Sequence, residues 1–146
     1  MPRVQAIVCR EDRVLMVKHR LDGSEWWCLP GGAQERNETP MDGALRELRE
    51  ECCVEGTVVR QTAHAVFAPG DEAHTFLVDI GDQEPALGCD PDVPAGCQVL
   101  AEARWMRLRD VPERDRCFLW AAGLLGVGRF LAEVSAWGDA LSCPGL

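Results

Sequence analysis

The chain has 146 residues, of which 47% are hydrophobic, so it is long enough to bury a core and too short for a second domain. We therefore expect a single domain over residues 1–146. The formal net charge is −9, and no run of basic residues is present. This balance makes the chain a poor candidate for binding polymeric DNA or RNA.

The amino terminus predicts neither export nor a membrane span. Its apolar run, Val4–Cys9, is too short to cross a bilayer and lacks a cleavage-site pattern. We accordingly expect no signal peptide, no membrane contact and a cytoplasmic location. The eight cysteines include no C-x-x-C pair, which argues against a structural zinc site.

The first elements along the chain are predicted to be strands. Val4–Cys9 and Val14–Val17 are apolar runs separated by Arg10–Arg13, a pattern typical of a hairpin. His19–Glu25 is polar and contains a glycine, so it is predicted to be a loop. Trp26–Leu29 is predicted to be a short buried strand.

The next segment predicts a sharp turn followed by a helix. Pro30–Gly32 is the turn, and its glycines let the backbone approach a ligand closely. The helix is predicted over Pro40–Cys52, with Thr39 as N-cap and a proline in the first helical position. Its apolar stripe consists of Met41, Ala44, Leu45, Leu48 and Cys52.

The opposite side of this helix carries three carboxylates. Glu47, Glu50 and Glu51 recur at i, i+3 and i+4, which places them on one helical face. Like charges on one stripe repel each other, so a folded chain that keeps them there is expected to hold hard cations with them. Carboxylate oxygens are the ligands that Mg²⁺ and Mn²⁺ prefer. The sequence therefore predicts a site for one of these ions.

Beyond this helix the sequence predicts more strands, a loop and a second helix. The loop is rich in proline, glycine and aspartate and is predicted to be mobile. The second helix is predicted to be loosened at a Gly-Val-Gly sequence. The elements are β-rich stretches at Gly56–Phe67, His74–Ile80 and Val99–Leu108, the loop at Gly81–Gly96, the helix from about Asp115 to Val134, and an irregular tail after Trp137.

Residues 32–54 resemble the signature of the Nudix hydrolases, Gly-x5-Glu-x7-Arg-Glu-U-x-Glu-Glu-x-Gly-U, in which U is a bulky apolar residue. One fixed position departs from it, because Cys53 stands where the signature has its second glycine. A Cβ is disfavoured in the left-handed conformation common after a helix, so we expect Cys53 to be strained or the helix end to be altered. The matching positions are Gly32, Glu38, Arg46, Glu47, Leu48, Glu50, Glu51 and Val54.

The resemblance implies a fold and a set of site residues. The fold is an α/β/α sandwich with a mixed β-sheet, in which the signature forms a loop-helix-loop, and the predicted elements agree with it. In the family, Mg²⁺ or Mn²⁺ is bound by signature glutamates and by a backbone carbonyl of the preceding turn. By this resemblance the metal ligands are Gly31, Glu47, Glu50 and Glu51, while Gly32 and Glu38 support the signature structurally.

The reaction implied by the resemblance is hydrolysis of a pyrophosphate bond in a nucleoside diphosphate linked to another group. Glu47 and Glu50 are the implied catalytic carboxylates. Arg46 is either a phosphate contact or, as is usual in the family, the ion-pair partner of a signature glutamate. The general base is left open between a signature glutamate and an outside one. The outside candidates are Glu102, favoured by its place near Trp105, and Glu72 and Glu84.

The sequence offers few residues that identify the substrate. Trp27 is the best candidate to stack on it, and Arg20 is a candidate to contact its phosphates. Pro69 stands near the place where ADP-ribose-type family members often carry a proline, which favours an ADP-ribose-like substrate. The chain has no tyrosine, which disfavours the diadenosine-polyphosphate type.

Two other functions are alternatives to hydrolysis. One is a catalytically silent Nudix-like domain that senses a ligand or binds a partner, and the substitution at Cys53 is its main support. The other is an isomerase on the same fold, which no residue favours. Intact Glu47, Glu50 and Glu51 favour the hydrolase acting on a small nucleotide-like molecule. The sequence leaves open whether the chain forms a homodimer.

Overall fold

The computed structural model describes residues 1–89, 91 and 93–137, and the predicted irregular tail lies outside this range. In the described part, no helix is long and apolar enough to cross a membrane. The strands are β1 (Arg3–Ile7), β2 (Cys9–Arg10), β3 (Arg13–Leu21), β4 (Ser24–Cys28), β5 (Gly31–Ala33), β6 (Thr57–Ala68), β7 (Asp71–Asp79) and β8 (Leu100–Arg107), and the helices are α1 (Pro40–Cys52), α2 (Glu113–Ala121) and α3 (Phe130–Ser135).

The strands form two sheets. The first has the order β5-β1-β7-β6 and is mixed, because β1 and β7 run parallel while the other neighbours are antiparallel. In the second sheet β3 pairs antiparallel with β2, β4 and β8. The mixed sheet places β5 beside β1, so the glycine-rich turn lies at a sheet edge next to α1.

The core is divided between the two faces of these sheets. Residues 14–17 of β3 are all fully buried, and they alternate between two hydrophobic clusters. Val14 and Met16 belong to the cluster that contains Leu119 of α2 and Phe130 of α3. Their neighbours in β3 belong to the cluster that contains Leu48 of α1. Helices therefore cover both faces, and the predicted α/β/α sandwich with a mixed sheet is confirmed.

The predicted strand Val4–Cys9 is in fact two strands in different sheets. β1 ends at Ile7 and belongs to the mixed sheet, whereas β2 begins at Cys9 and pairs with β3. The chain changes sheets at Val8, whose carbonyl accepts the Leu15 N–H at 2.9 Å. An unbroken apolar run gives no sign of such a change, because both halves are buried.

The predicted polar loop His19–Glu25 was also wrong. β3 continues to Leu21 and β4 begins at Ser24, so the two strands form a hairpin. Asp22 and Gly23 both have positive φ, 50° and 78°, as a tight two-residue hairpin turn requires. The segment is polar because the outer end of the hairpin is exposed. The Asp-Gly pair is the sequence signal that could have identified the turn.

The predicted long C-terminal helix is interrupted well before its glycine pair. α2 ends at Ala121, and α3 begins only at Phe130. Gly123 has φ of 84° and lies so close to β6 that a Cβ there would meet the Thr62 carbonyl oxygen at 2.5 Å. The Thr62 hydroxyl donates to the Ala122 carbonyl at 2.7 Å and fixes the end of α2 against this strand.

The loop predicted to be mobile is tied to the end of α1. Three of its amides donate to the last three carbonyls of the helix, which have no partner within the helix. A Cβ at Gly88 would run into the Glu50 carbonyl oxygen, so this close approach requires glycine. The hydrogen bonds are Ala86 to Cys52 at 3.0 Å, Gly88 to Glu51 at 2.8 Å and Cys89 to Glu50 at 3.1 Å.

Both ends of α1 are closed by hydrogen bonds of their capping residues. At the start, the Thr39 side chain accepts the Asp42 N–H at 3.1 Å, as predicted. At the other end, Cys53 adopts a left-handed conformation, with φ 58° and ψ 34°, and its N–H donates to the Arg49 carbonyl at 3.0 Å. The helix therefore closes as it would with glycine, and the strain falls on the residue with a Cβ.

Cys53→Gly should raise the free energy of unfolding by about 1 kcal/mol, because glycine relieves the left-handed strain. Urea unfolding measures the change. Asn37→Gly is the matched control, since Asn37 also has positive φ, 68°, but asparagine tolerates this conformation. The control should gain less than Cys53→Gly. A Cys53→Gly protein that is no more stable than the parent would contradict the assigned strain.

Candidate functional site

The carboxylates of α1 and the glycines of β5 line one cleft. It has a volume of about 300 Å³ and lies where the helix passes the edge of the mixed sheet. The cleft brings together Gly31, Gly32, Arg46, Glu47, Glu50 and Glu51 with residues that were not predicted, notably Arg3 and His19.

Arg46 is the centre of the charge network in this cleft. Its Nε and Nη2 donate to the two carboxylate oxygens of Glu38, at 3.1 and 2.9 Å, in a fork-to-fork geometry. Nη2 also donates to the Ala33 carbonyl at 3.1 Å. The same guanidinium thus joins α1 to the loop before it and to β5.

The remaining nitrogen of Arg46 holds two of the predicted metal ligands. Its Nη1 donates to Glu47 Oε1 at 3.0 Å and to Glu50 Oε2 at 3.1 Å. These side chains are largely buried, so water screens the charges only weakly. Hydrogen bonds from Arg46, first of all to Glu38, raise the pKa of Arg46 further above its ordinary value. The guanidinium therefore stays charged and offsets the repulsion between the glutamates.

Glu51 is the most buried of the three carboxylates. Its residue is 6% exposed, and its Oε2 accepts the Gly31 N–H at 3.1 Å. The bond links the end of α1 to β5 and aims Glu51 at the glycine turn. A buried carboxylate at this position needs such partners, because an unpaired buried charge is costly.

The two glycines of β5 lie where an added Cβ would meet its neighbours. A Cβ at Gly31 would lie 2.6 Å from the Gln5 Cβ of the neighbouring strand. A Cβ at Gly32 would lie 2.7 Å from the Glu47 carboxylate carbon. A side chain at Gly31 would push β5 away from β1, and a side chain at Gly32 would displace the Glu47 carboxylate. The supporting role of Gly32 stays a prediction.

The pKa values of Glu47 and Glu38 are shifted in opposite directions, one by burial and the other by its ion pair. Burial raises the pKa of Glu47, although Arg46 opposes the shift. The hydrogen bond from Arg46 holds the pKa of Glu38 below its usual range. A further positive charge nearby would thus stabilise the ionised form of Glu47. An oxygen-rich set formed by Glu47, Glu50 and Glu51 suits a hard divalent cation.

A larger cavity lies beside the cleft. Its volume is about 870 Å³, and the two share Arg3 and His19 in their linings. The shared residues place a guanidinium and an imidazole between the two spaces. The aromatic residues of the larger cavity are Trp26, Trp27, Phe67 and Phe118.

Trp27 lines this cavity but is mostly enclosed. It is 8% exposed, its backbone N–H donates to Asp115 Oδ2 at 2.9 Å, and Lys18 Nζ lies 5.0 Å from its ring centre. Trp26 is more accessible, and its ring stacks on His19 at 5.5 Å. Trp26 was not predicted at the site. Neighbouring side chains of a strand point to opposite faces, so this alternation could have indicated different surroundings for Trp26 and Trp27.

Arg3 and His19 were missed because nothing in their sequence context marks them. Arg3 Nε donates to Gln5 Oε1 at 3.1 Å. Burial, and secondarily the charge of Arg3, lower the pKa of His19. His19 is therefore a neutral side chain between the cleft and the cavity. The pairing of β1 with β5 and the length of β3 bring the two residues to the same cleft.

Some predicted residues lie outside the linings of both spaces. Arg20 forms an ion pair with Glu25, with Nε 2.6 Å from Oε1. Glu102 lies 3.5 Å from Lys18 Nζ and also pairs with Arg104. The other outside glutamates also have basic partners: Glu72 lies 2.6 Å from His64, and Glu84 lies 2.7 Å from Arg10. The roles given to Arg20 and Glu102 stay predictions.

Comparisons with known proteins identify the family and the fold. Residues 1–122 match the family model described as NUDIX domain. An RNA pyrophosphohydrolase of Halorhodospira halophila is 45% identical over 51 residues, a segment that covers 34% of this chain and 27% of that protein. The chain thus matches about a quarter of the length of this relative.

Two solved structures are similar in fold. An ADP-ribose pyrophosphatase of Streptococcus suis has a TM-score of 0.66 at 19% identity, with 86% of this chain and 91% of that chain covered. A MutT NUDIX hydrolase of Burkholderia pseudomallei has a TM-score of 0.59 at 26% identity, with 84% and 95% covered.

The opposite pKa shifts predict opposite effects of pH on two variants of the metal-free protein. Native Glu47 ionises at higher pH than unfolded Glu47, so its ionisation costs stability as pH rises. Glu47→Gln should therefore gain stability relative to the parent as pH rises through the range in which the unfolded glutamate is ionised and the native one is still protonated.

Glu38 is the matched control for this measurement. Its native pKa is lowered, so it contributes stability above its unfolded pKa and loses it as pH falls. Glu38→Gln should be less stable than the parent at neutral pH, and the difference should shrink in acid. Urea unfolding in chelator over a pH series tests both variants. If the stability differences of both variants from the parent changed in the same direction with pH, the opposite pKa shifts assigned to Glu47 and Glu38 would be contradicted.

Proposed function

Because the chain belongs to the Nudix family of pyrophosphate-cleaving hydrolases, we propose that it forms one Nudix domain that hydrolyses a nucleoside diphosphate linked to another group, with Mg²⁺ or Mn²⁺. The observation that carries the proposal is the convergence of Glu47, Glu50 and Glu51 on one cleft, beside a cavity large enough for a nucleoside.

The proposed metal ligands are Glu47, Glu50, Glu51 and the backbone of Gly31. When bound, a divalent ion neutralises charge on phosphate oxygens and lowers the pKa of a bound water. Glu47 is proposed as metal ligand or general base, since its carboxylate lines the cleft beside those of Glu50 and Glu51. Arg46 holds Glu47 and Glu50 in position through its hydrogen bonds.

The larger cavity is proposed to take the nucleoside or sugar part of the substrate. Its four aromatic residues provide apolar surface for a ring. Arg3 lies between this cavity and the carboxylate cleft, where a diphosphate would connect the two parts. An ADP-ribose-like substrate is favoured by Pro69 and by the structural likeness to a pyrophosphatase of that specificity.

A substrate panel tests the proposed reaction. ADP-ribose, UDP-sugars, nucleoside triphosphates and a 5′-triphosphorylated RNA oligonucleotide would be assayed for phosphate-containing products with Mg²⁺, Mn²⁺ or EDTA. We expect turnover of a small nucleotide with either metal and none in EDTA, because the donor set suits hard cations. Turnover that persists in EDTA would contradict the metal site. If compounds of the panel bind but none of them is hydrolysed, the result would support the catalytically silent alternative.

Glu50→Gln and Glu51→Gln should each lower turnover about a hundredfold or more, because each removes a charged oxygen from the proposed metal site. Glu55→Gln is the matched control. Glu55 follows the same helix, is 69% exposed in its side chain and pairs with Arg49. Steady-state kinetics at saturating Mg²⁺, with thermal melts, would measure all three. Near-parental rates for both signature variants would remove the assignment.

A further inference from the structure

A group of metal-binding side chains lies on the hairpin of β6 and β7, outside the linings of the cleft and the cavity. His64 and His74 are directly opposite each other across the two strands. Glu72 lies two residues before His74 and therefore on the same face of β7. The pairing of the two strands holds these three side chains next to one another.

The three side chains are within reach of one ion. The two imidazoles stack at 4.1 Å with an angle of 16° between their planes. His64 Nε2 lies 2.6 Å from Glu72 Oε2. One ligand-type atom of each of the three residues lies within 4.8 Å of the others. Two imidazoles and a carboxylate form a donor set that binds zinc in proteins.

We propose that His64, Glu72 and His74 bind a zinc ion on the β6–β7 hairpin, with a fourth coordination position open to water or a small ligand. The site differs in chemistry from the carboxylate cleft, because nitrogen donors select borderline transition ions over Mg²⁺. Its formation does not depend on the proposed hydrolase activity.

Imidazole NMR tests the proposal directly. The chain has three histidines, so single variants assign all three ring signals. Zinc would be added to one equivalent in excess Mg²⁺, so that Mg²⁺ competes with zinc for the carboxylate cleft. We expect the signals of His64 and His74 to shift together while those of His19 stay in place. Signals of His64 and His74 that remain at their zinc-free positions would overturn the proposal.

The affinity of the site provides a second test that does not depend on removing a histidine. Glu72→Gln keeps the size of the side chain but removes its charge. The dissociation constant, measured from the shifted signals against a competing chelator, should rise at least about tenfold. Glu84→Gln is the control, since Glu84 is an exposed glutamate paired with Arg10. Equal dissociation constants for Glu72→Gln and the parent protein would overturn the assignment of Glu72.

Discussion

The guanidinium of Arg46 is the interaction on which the carboxylate cleft depends. It contacts Glu38, Glu47 and Glu50 at hydrogen-bond distance, and it lies 3.8 Å from Glu35. Without this charge, neighbouring carboxylates of low exposure would have to separate or take up protons. Removing one partner from a buried ion network commonly costs about 3–5 kcal/mol, because the remaining charges lose their compensation.

The same network explains why the loop before α1 has a defined path. Glu38 uses both oxygens on Arg46, and its Oε1 also accepts the Glu35 N–H at 2.7 Å. Gly43 is needed beside it, since a Cβ there would lie 2.7 Å from Glu38 Oε1. The glycine that weakens α1 as a helix former is therefore the residue that leaves room for Glu38. At Gly43 the packing of the charged network therefore outweighs the low helix propensity of glycine.

Much of the helix that carries the candidate site could be predicted from sequence because its information is local. The cap at Thr39, the apolar stripe and the three carboxylates all follow from spacing within residues 39–52, and α1 has the predicted bounds. Arg3 and His19 could not be predicted in this way. They meet the carboxylates only through the pairing of β1 with β5 and the length of β3. Strand register over such separations leaves little trace in one sequence.

The errors in the fold share this cause. Val8 lies where the chain leaves one sheet for another, and α2 stops where Gly123 meets Thr62 of β6. In each case a tertiary contact decides a boundary that periodicity would place elsewhere. The hairpin at Asp22 and Gly23 is different, because its turn residues were visible and the polarity of the segment outweighed them.

The loop that donates its amides to the end of α1 has a dynamic consequence. Its hydrogen bonds end on the backbone of Glu50, Glu51 and Cys52, so these amides can open only when the loop and the last turn of the helix separate. Loop and helix end should thus behave as one cooperative unit in hydrogen exchange. The flexibility of two proposed metal ligands is then set partly by residues 86–89, far along the chain. Gly88, with no room for a Cβ, is the least replaceable position of that unit.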